Sequence, residues 1–428
     1  MRRFAWAVLP LFVFLIAPVA AQTASAPKRA AALSQRQTQT LVDRVLKETS
    51  QIRQLPIKRR VPGRVETGAQ VEAMVARQIK EAGNDQSILA SEIALRQLGL
   101  APQNFDLRTS YARLLGEQVG GYYSPATKTF VTTDRVPRGQ LEMVMAHELT
   151  HALQDQHFGL SKLERWPDHD GDAKLAMQSL VEGDATYTMT RYVAANPFRV
   201  LGTFLSALAP GQGSPTFNAA PRALREELTF PYLQGLTFVQ TLYRRGGWSA
   251  VSGAFARLPE SSQQILHPDL YFARKAPVRV PLRDVSAAAG RGWRLLDHDV
   301  NGEAGLQVVL GEFLSDKTEV EGATHAWAGD RYAIYRGPRG ANLVVQDCLF
   351  DTQEGAGRFV AAYNRRTATR FRQPPNMALL APPSLAQWAS GRDGVWVEGR
   401  GRRVIVLEGS LGTFDAERVL RVLQSSRL

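Results

Sequence analysis

Leu141-Glu142-Met143-Val144-Met145-Ala146-His147-Glu148-Leu149-Thr150-His151-Ala152-Leu153 is the stretch on which the reading of this chain turns. Its residues are helix formers, with no glycine or proline to interrupt them. On a helix of 3.6 residues per turn, positions i and i+4 share a face, so His147 and His151 can aim both imidazoles at one zinc ion. Glu148 stands beside the first of them, where a carboxylate can take a proton from water. Apart from Glu148, the residues between and just after the histidines are uncharged, as expected of a buried helix.

A catalytic zinc keeps three protein ligands, so a third is required. His157 lies ten residues after His147, the spacing of H-E-x-x-H-x-x-G-x-x-H. That pattern needs glycine at its eighth position to turn the chain, and Gln154 stands there instead. On a continuing helix His157 points roughly 80° away from His147. The rival is Glu182, in Ser179-Leu-Val-Glu-Gly-Asp-Ala-Thr186, on a second strongly helical segment. It follows Leu180 and Val181 in an apolar run, an awkward place for an unpaired charge, and Gly183 would let two helix backbones approach closely. Glu182 is therefore preferred, with Asp184 and Asp155 as weaker alternatives. Asp155 is i+4 from His151 and could orient it.

Outward from these helices, the chain has 428 residues, with 44% hydrophobic and 21% charged. That composition supports a substantial core and excludes a mainly disordered or collagen-like protein. One cysteine, Cys348, excludes an internal disulfide and a cysteine-based zinc cluster. The formal net charge of +12 invites a nucleic-acid reading. Much of it is local, however. Residues 22–60 carry nine basic side chains against Asp43 and Glu48, and no basic stripe is interleaved with aromatics, so a solvated basic arm is expected and no nucleic acid.

Arg2 and Arg3, the apolar run from Phe4 to Ala21, and small residues at Val19 and Ala21 have the form of a cleavable export signal over residues 1–21. No later stretch reaches about 18 consecutive apolar residues, so no membrane span is expected after cleavage. The expected location is periplasmic or secreted.

Residues 22–54 read as the basic arm, 55–290 as a mainly helical domain, and 291–428 as a small C-terminal α+β domain; the fold class is α+β. Helices are expected near Gln70–Ala82, Ser87–Leu98, Gln140–His157, Ala173–Ala195 and Tyr232–Arg245, with a loop at Pro210–Pro221. Gly120–Thr133 reads as a hairpin around Pro125-Ala-Thr-Lys128. Beyond residue 290, strands are expected at Arg331–Arg336, Asn342–Phe350, Gly394–Glu398 and Arg403–Glu408. Helices at Gln353–Arg365 and Asp415–Gln424 would lie on one face of an antiparallel sheet, and Pro374–Pro383 is a break. Asp297-His-Asp-Val-Asn-Gly302 imitates the first half of a calcium loop, but Val308 stands where the bidentate glutamate belongs, so it reads as a turn between domains.

With these motifs in hand, the chain resembles an uncharacterised family of exported bacterial gluzincin-type metallopeptidases. The resemblance rests on Gly121-Tyr-Tyr, Ala146-His-Glu-Leu-Thr-His-Ala-Leu-Gln-Asp-Gln-His-Phe158, Leu180-Val-Glu-Gly-Asp-Ala-Thr186, Phe230-Pro-Tyr-Leu-Gln-Gly235 and Gln264-Ile-Leu-His-Pro-Asp-Leu-Tyr271. It implies a zincin-like domain with Zn2+ on His147, His151 and Glu182, and Glu148 as the base that activates water against a peptide carbonyl. Tyr232, in a segment similar to the Y-x-x-G of gluzincin aminopeptidases, would stabilise the oxyanion; His267 and Tyr271 are the alternative pair. Tyr122 and Tyr123 would border the strand on which zincins hold an extended substrate. Many gluzincins carry an aspartate four residues after the glutamate ligand, and here that position is Thr186. The substrate class implied is protein or peptide. The second reading is a zincin scaffold serving as a binding or assembly module of the cell envelope.

Overall fold

A computed structural model of the chain describes residues 13–15, 33–82, 85–134, 136, 138–163, 169–197, 215–373 and 385–425. The expected export signal, apart from residues 13–15, and the Pro-rich break at 374–383 lie outside the described residues. So do residues 22–32 of the expected arm and residues 210–214 of the expected loop, whose described remainder holds a short helix at Pro215–Ala219. Among the described residues, no helix is long and apolar enough to cross a membrane.

The first half is helical around a small sheet. Strand β1 is Val13–Leu15, helix α1 Gln35–Arg53 and β2 Gly63–Glu66; α2 (Gly68–Ala82), α3 (Asp85–Gln97) and α4 (Leu107–Gln118) follow. The expected hairpin is present as β3 (Val119–Ser124) and β4 (Thr129–Thr133), with Lys128 at positive φ completing its turn. The sheet order is β1-β3-β4-β2, β4 running antiparallel to β3 and parallel to β2. Helix α5 spans Arg138–Phe158, α6 Leu160–Leu163 and α7 Gly171–Ala195. Two short helices, α10 (Ser262–Leu266) and α11 (Pro268–Phe272), follow α8 (Pro215–Ala219) and α9 (Arg222–Ala256).

Two expectations change here. Within the expected arm, residues 35–53 form a helix that is not solvated on all sides. Helix α1 buries Val42, Val45 and Leu46 against α5, and Arg53 is fully buried. Nor does the Tyr232 segment open its helix, because α9 begins ten residues earlier at Arg222. Pro231 sits inside it, and the helix breaks instead at Gly246-Gly247, where Gly247 has φ of 60°.

The second half is α+β. After α12 (Ser286–Ala289), strand β5 (Arg294–Asp299) leads to α13 (Gly302–Gly311) and α14 (Lys317–Thr324). Strands β6 (Trp327–Arg336), β7 (Asn342–Phe350), β8 (Leu385–Ser390), β9 (Asp393–Arg400) and β10 (Arg403–Ser410) complete an antiparallel sheet ordered β5-β6-β7-β10-β9-β8. Helices α15 (Gln353–Phe371) and α16 (Ala416–Gln424) pack on opposite faces of it, not on one face as expected. The alternation along β10 is the reason: Val404 and Val406 meet Phe359 and Tyr363 of α15, while Ile405 and Leu407 meet Val419 and Leu423 of α16. The two halves also share a core, since buried residues of α2, α3 and α4 join one cluster with Ile334, Val344 and Val404 of the sheet.

Candidate metal centre

Helices α5 and α7 bring three side chains to one point. His147 Nε2 lies 3.1 Å from Glu182 Oε2 and 3.1 Å from His151 Nε2, and His151 Nε2 lies 3.4 Å from the same carboxylate oxygen. Both histidines are fully buried and Glu182 is nearly so. A tetrahedral zinc with ligand bonds of ~2.0–2.1 Å separates its ligand atoms by roughly 3.3–3.4 Å, so the edges of this triangle match such an ion. The donor set of two imidazoles and a carboxylate suits it as well. His151 donates its Nδ1–H to Gln154 Oε1 at 2.8 Å, which turns the Nε2 lone pair inward.

Charge is distributed unevenly across the triangle. Burial pulls the His147 imidazole down to about 4. Burial also works against charge on His151, but the Glu182 and Glu148 carboxylates outweigh it and hold the ring at about 9. The two imidazoles likewise overcome burial at Glu182 and keep its carboxyl at about 2.

Glu148 is also fully buried, next to the triangle, and its Oε2 accepts the Tyr123 amide of β3 at 2.8 Å. The hairpin therefore fixes the carboxylate through main chain. The Tyr123 hydroxyl donates to Asp155 Oδ2, as does Lys128 Nζ, so Asp155 pins the hairpin to α5 and does not touch a histidine ring of the triangle. Tyr232 of α9 stacks on His147 with ring centroids 6.0 Å apart and hydrogen-bonds Glu182. Burial, and then the two nearby carboxylates, push its hydroxyl well above the usual phenol range.

The other candidates sit elsewhere. His157 is on the outside of α5 with Nε2 2.7 Å from the Pro56 carbonyl. Asp184 is an ion-pair partner, not a ligand: Arg53 Nε reaches it at 2.6 Å, both side chains fully buried. The Tyr271 hydroxyl donates to the Arg257 carbonyl within a core cluster, and His267 pairs with Glu303. Thr186 holds neither ring. The residue that sequence reasoning passed over is Gln154, which supports His151 and in turn donates to the Val181 carbonyl and to Asp184 Oδ2. Its position at i+3 from His151 on the same helix was the available signal.

The calcium-like turn bears on the start of α7. Asp299 Oδ1 accepts the Gly171 amide at the start of α7, and Asp330 accepts the Asn301 and Gly302 amides. Burial pushes Asp299 up to about 7 and Asp330 to about 6.

A family model described as a domain of unknown function (DUF8575) matches residues 293–420, the C-terminal sheet and its helices. No curated protein and no solved structure matches the chain.

Proposed function

We propose that the protein is a gluzincin-type zinc metallopeptidase, with the ion held by His147, His151 and Glu182. A zinc ion bound there supplies a Lewis acid and lowers the pKa of water. The single observation that carries this reading is the 3.1–3.4 Å triangle of ligand atoms with Glu148 fixed beside it.

Each remaining role follows from the chain's own groups. Glu148, anchored by the Tyr123 amide, accepts the proton of the attacking water and returns it to the leaving amine. Tyr232, above His147, donates its hydroxyl to the oxygen that gains charge at the scissile carbonyl. The β3 edge can take an extended peptide: Val13–Leu15 already pairs with it antiparallel, Val13 opposite Tyr122 and Leu15 opposite Val119. The export-type N-terminus supports action in the periplasm or the medium, and the substrates under this reading are proteins or peptides.

The test is zinc content and peptide hydrolysis of the purified protein, beside Glu148→Gln, Glu182→Ala and His157→Ala. Glu148→Gln should keep zinc and lose turnover. Glu182→Ala should lose zinc, and His157→Ala should do neither. A wild-type protein that binds zinc at the triangle yet cleaves nothing in a proteome-derived peptide library would instead make the scaffold a binding module.

A further inference from the structure

A second group of metal-ligating side chains lies where the helical half meets the C-terminal sheet unit, and the peptidase reading does not use it. His267 is the junction residue between α10 and α11, Glu303 is in the first turn of α13, and His325 caps the end of α14. Their ligand atoms all lie within 4.8 Å of one another. His267 Nε2 is 2.9 Å from Glu303 Oε1, and the His267 and His325 rings stand nearly perpendicular with centroids 4.6 Å apart.

The second observation concerns Glu303 itself. It is 1% exposed, and its Oε2 is buried without a hydrogen-bond partner among the described residues. A carboxylate oxygen so placed costs free energy unless a proton or a cation answers it. The surrounding backbone is held in position: Gln307 Nε2 donates to both Glu303 Oε1 and Thr324 Oγ1, and Gln263 Nε2 donates to the His325 carbonyl. All three ligands line a cavity of about 860 Å3, which leaves room for water or a further ligand beside an ion.

We propose that His267, Glu303 and His325 form a second divalent-cation site that clamps the helical half to the C-terminal unit. Two imidazoles and one carboxylate select a borderline transition ion such as zinc over magnesium or calcium, which prefer all-oxygen sets. Because His267 belongs to one half and Glu303 and His325 to the other, the ion closes a contact that no single segment could make alone. Binding to the folded state only then raises the melting temperature with zinc concentration.

The experiment isolates this site from the first. Untagged protein carrying His147→Ala and His151→Ala is titrated with zinc chloride by calorimetry, with metal content checked after gel filtration. The expected result is about one zinc per chain and a melting temperature that rises with added zinc. Adding His325→Ala or Glu303→Gln should weaken that binding by about 100-fold or more, since losing a supporting partner alone typically costs 10–100-fold. His325 is exposed, so its alanine variant should melt like its parent without zinc, and that control guards against misfolding. No zinc uptake by the double variant, or uptake unaltered by both His325→Ala and Glu303→Gln, overturns the proposal. The two assignments fail separately: loss of the peptidase reading leaves this binding intact, and loss of this site leaves the zinc that depends on His147.

Discussion

Gly183 and Gly235 meet backbone to backbone where α7 crosses α9. A Cβ on Gly183 would lie 2.2 Å from the Gly235 carbonyl, and one on Gly235 would lie 2.1 Å from the Ser179 carbonyl oxygen. Glu182 and Tyr232 stand next to this crossing, so their separation is set by main chain. Alanine at either glycine should force the helices apart, at a cost of at least the ~1–3 kcal/mol typical of overpacked cores. Zinc content and melting temperature should fall together in Gly183→Ala. An alanine variant with wild-type melting would show that the helices can part freely.

Gln154 should control metal affinity without touching the metal. Gln154→Leu removes the acceptor of the His151 Nδ1–H and should weaken zinc binding by about 10–100-fold, as other supporting partners do. Competition with a chromophoric chelator measures this directly. Unchanged affinity would mean that the His151 ring is oriented by packing alone.

Tyr232→Phe should keep zinc and fold. If the hydroxyl meets the developing oxyanion, kcat should fall by about 10²–10³, or about 3–4 kcal/mol, with KM little changed. Steady-state kinetics on any cleaved peptide, with melting alongside, decides it. Near-normal kcat would return Tyr232 to a packing role.

The Asp299 junction predicts a pH effect on stability. Burial raises Asp299 to about 7, against the pull of the Gly171 and Val300 amides; Asp170 adds to the rise and Arg331 opposes it. The unfolded value is near ~3.9. A folded value above the unfolded one means that the stabilisation is complete below about pH 4 and is lost as pH rises through about 7. Asp299→Asn cannot ionise, so its melting temperature should gain on the wild type between pH 5 and 8. A difference that stays constant across that range would show that Asp299 keeps an ordinary pKa.

The legible parts of this chain were those whose signal is local. The i, i+4 histidines, the turn at Pro125–Lys128 and the apolar company of Glu182 each lie within one helical turn or one hairpin. Gln154 was visible only as a residue that is not glycine, because its meaning depends on α7, whose Val181 carbonyl and Asp184 accept its amide. Helix α9 starts ten residues before the expected Tyr232, because packing against α7 overrides the local preference against Pro231 inside a helix. The opposite-face placement of α15 and α16 follows from strand parity, which block order along a sequence does not reveal. The group at His267, Glu303 and His325 comes from three segments with no common motif, so only the folded chain assembles it.

The buried pair of Arg53 and Asp184 has a consequence for how the molecule matures. Arg53 ends α1, lies 4.6 Å over the Trp248 ring, and reaches Asp184 across 131 residues of sequence and Ser252 beyond it. Asp184 in turn holds the Gln154 amide that orients His151. A chain that emerges amino end first presents α1 early, but its partners arrive only once α9 has been made. Until then the guanidinium is better hydrated than buried, and Asp184 lacks its complete ion-pair surroundings. A chain truncated before α9 therefore carries His147, Glu148 and His151 while the burial that holds Arg53 on Asp184 is incomplete.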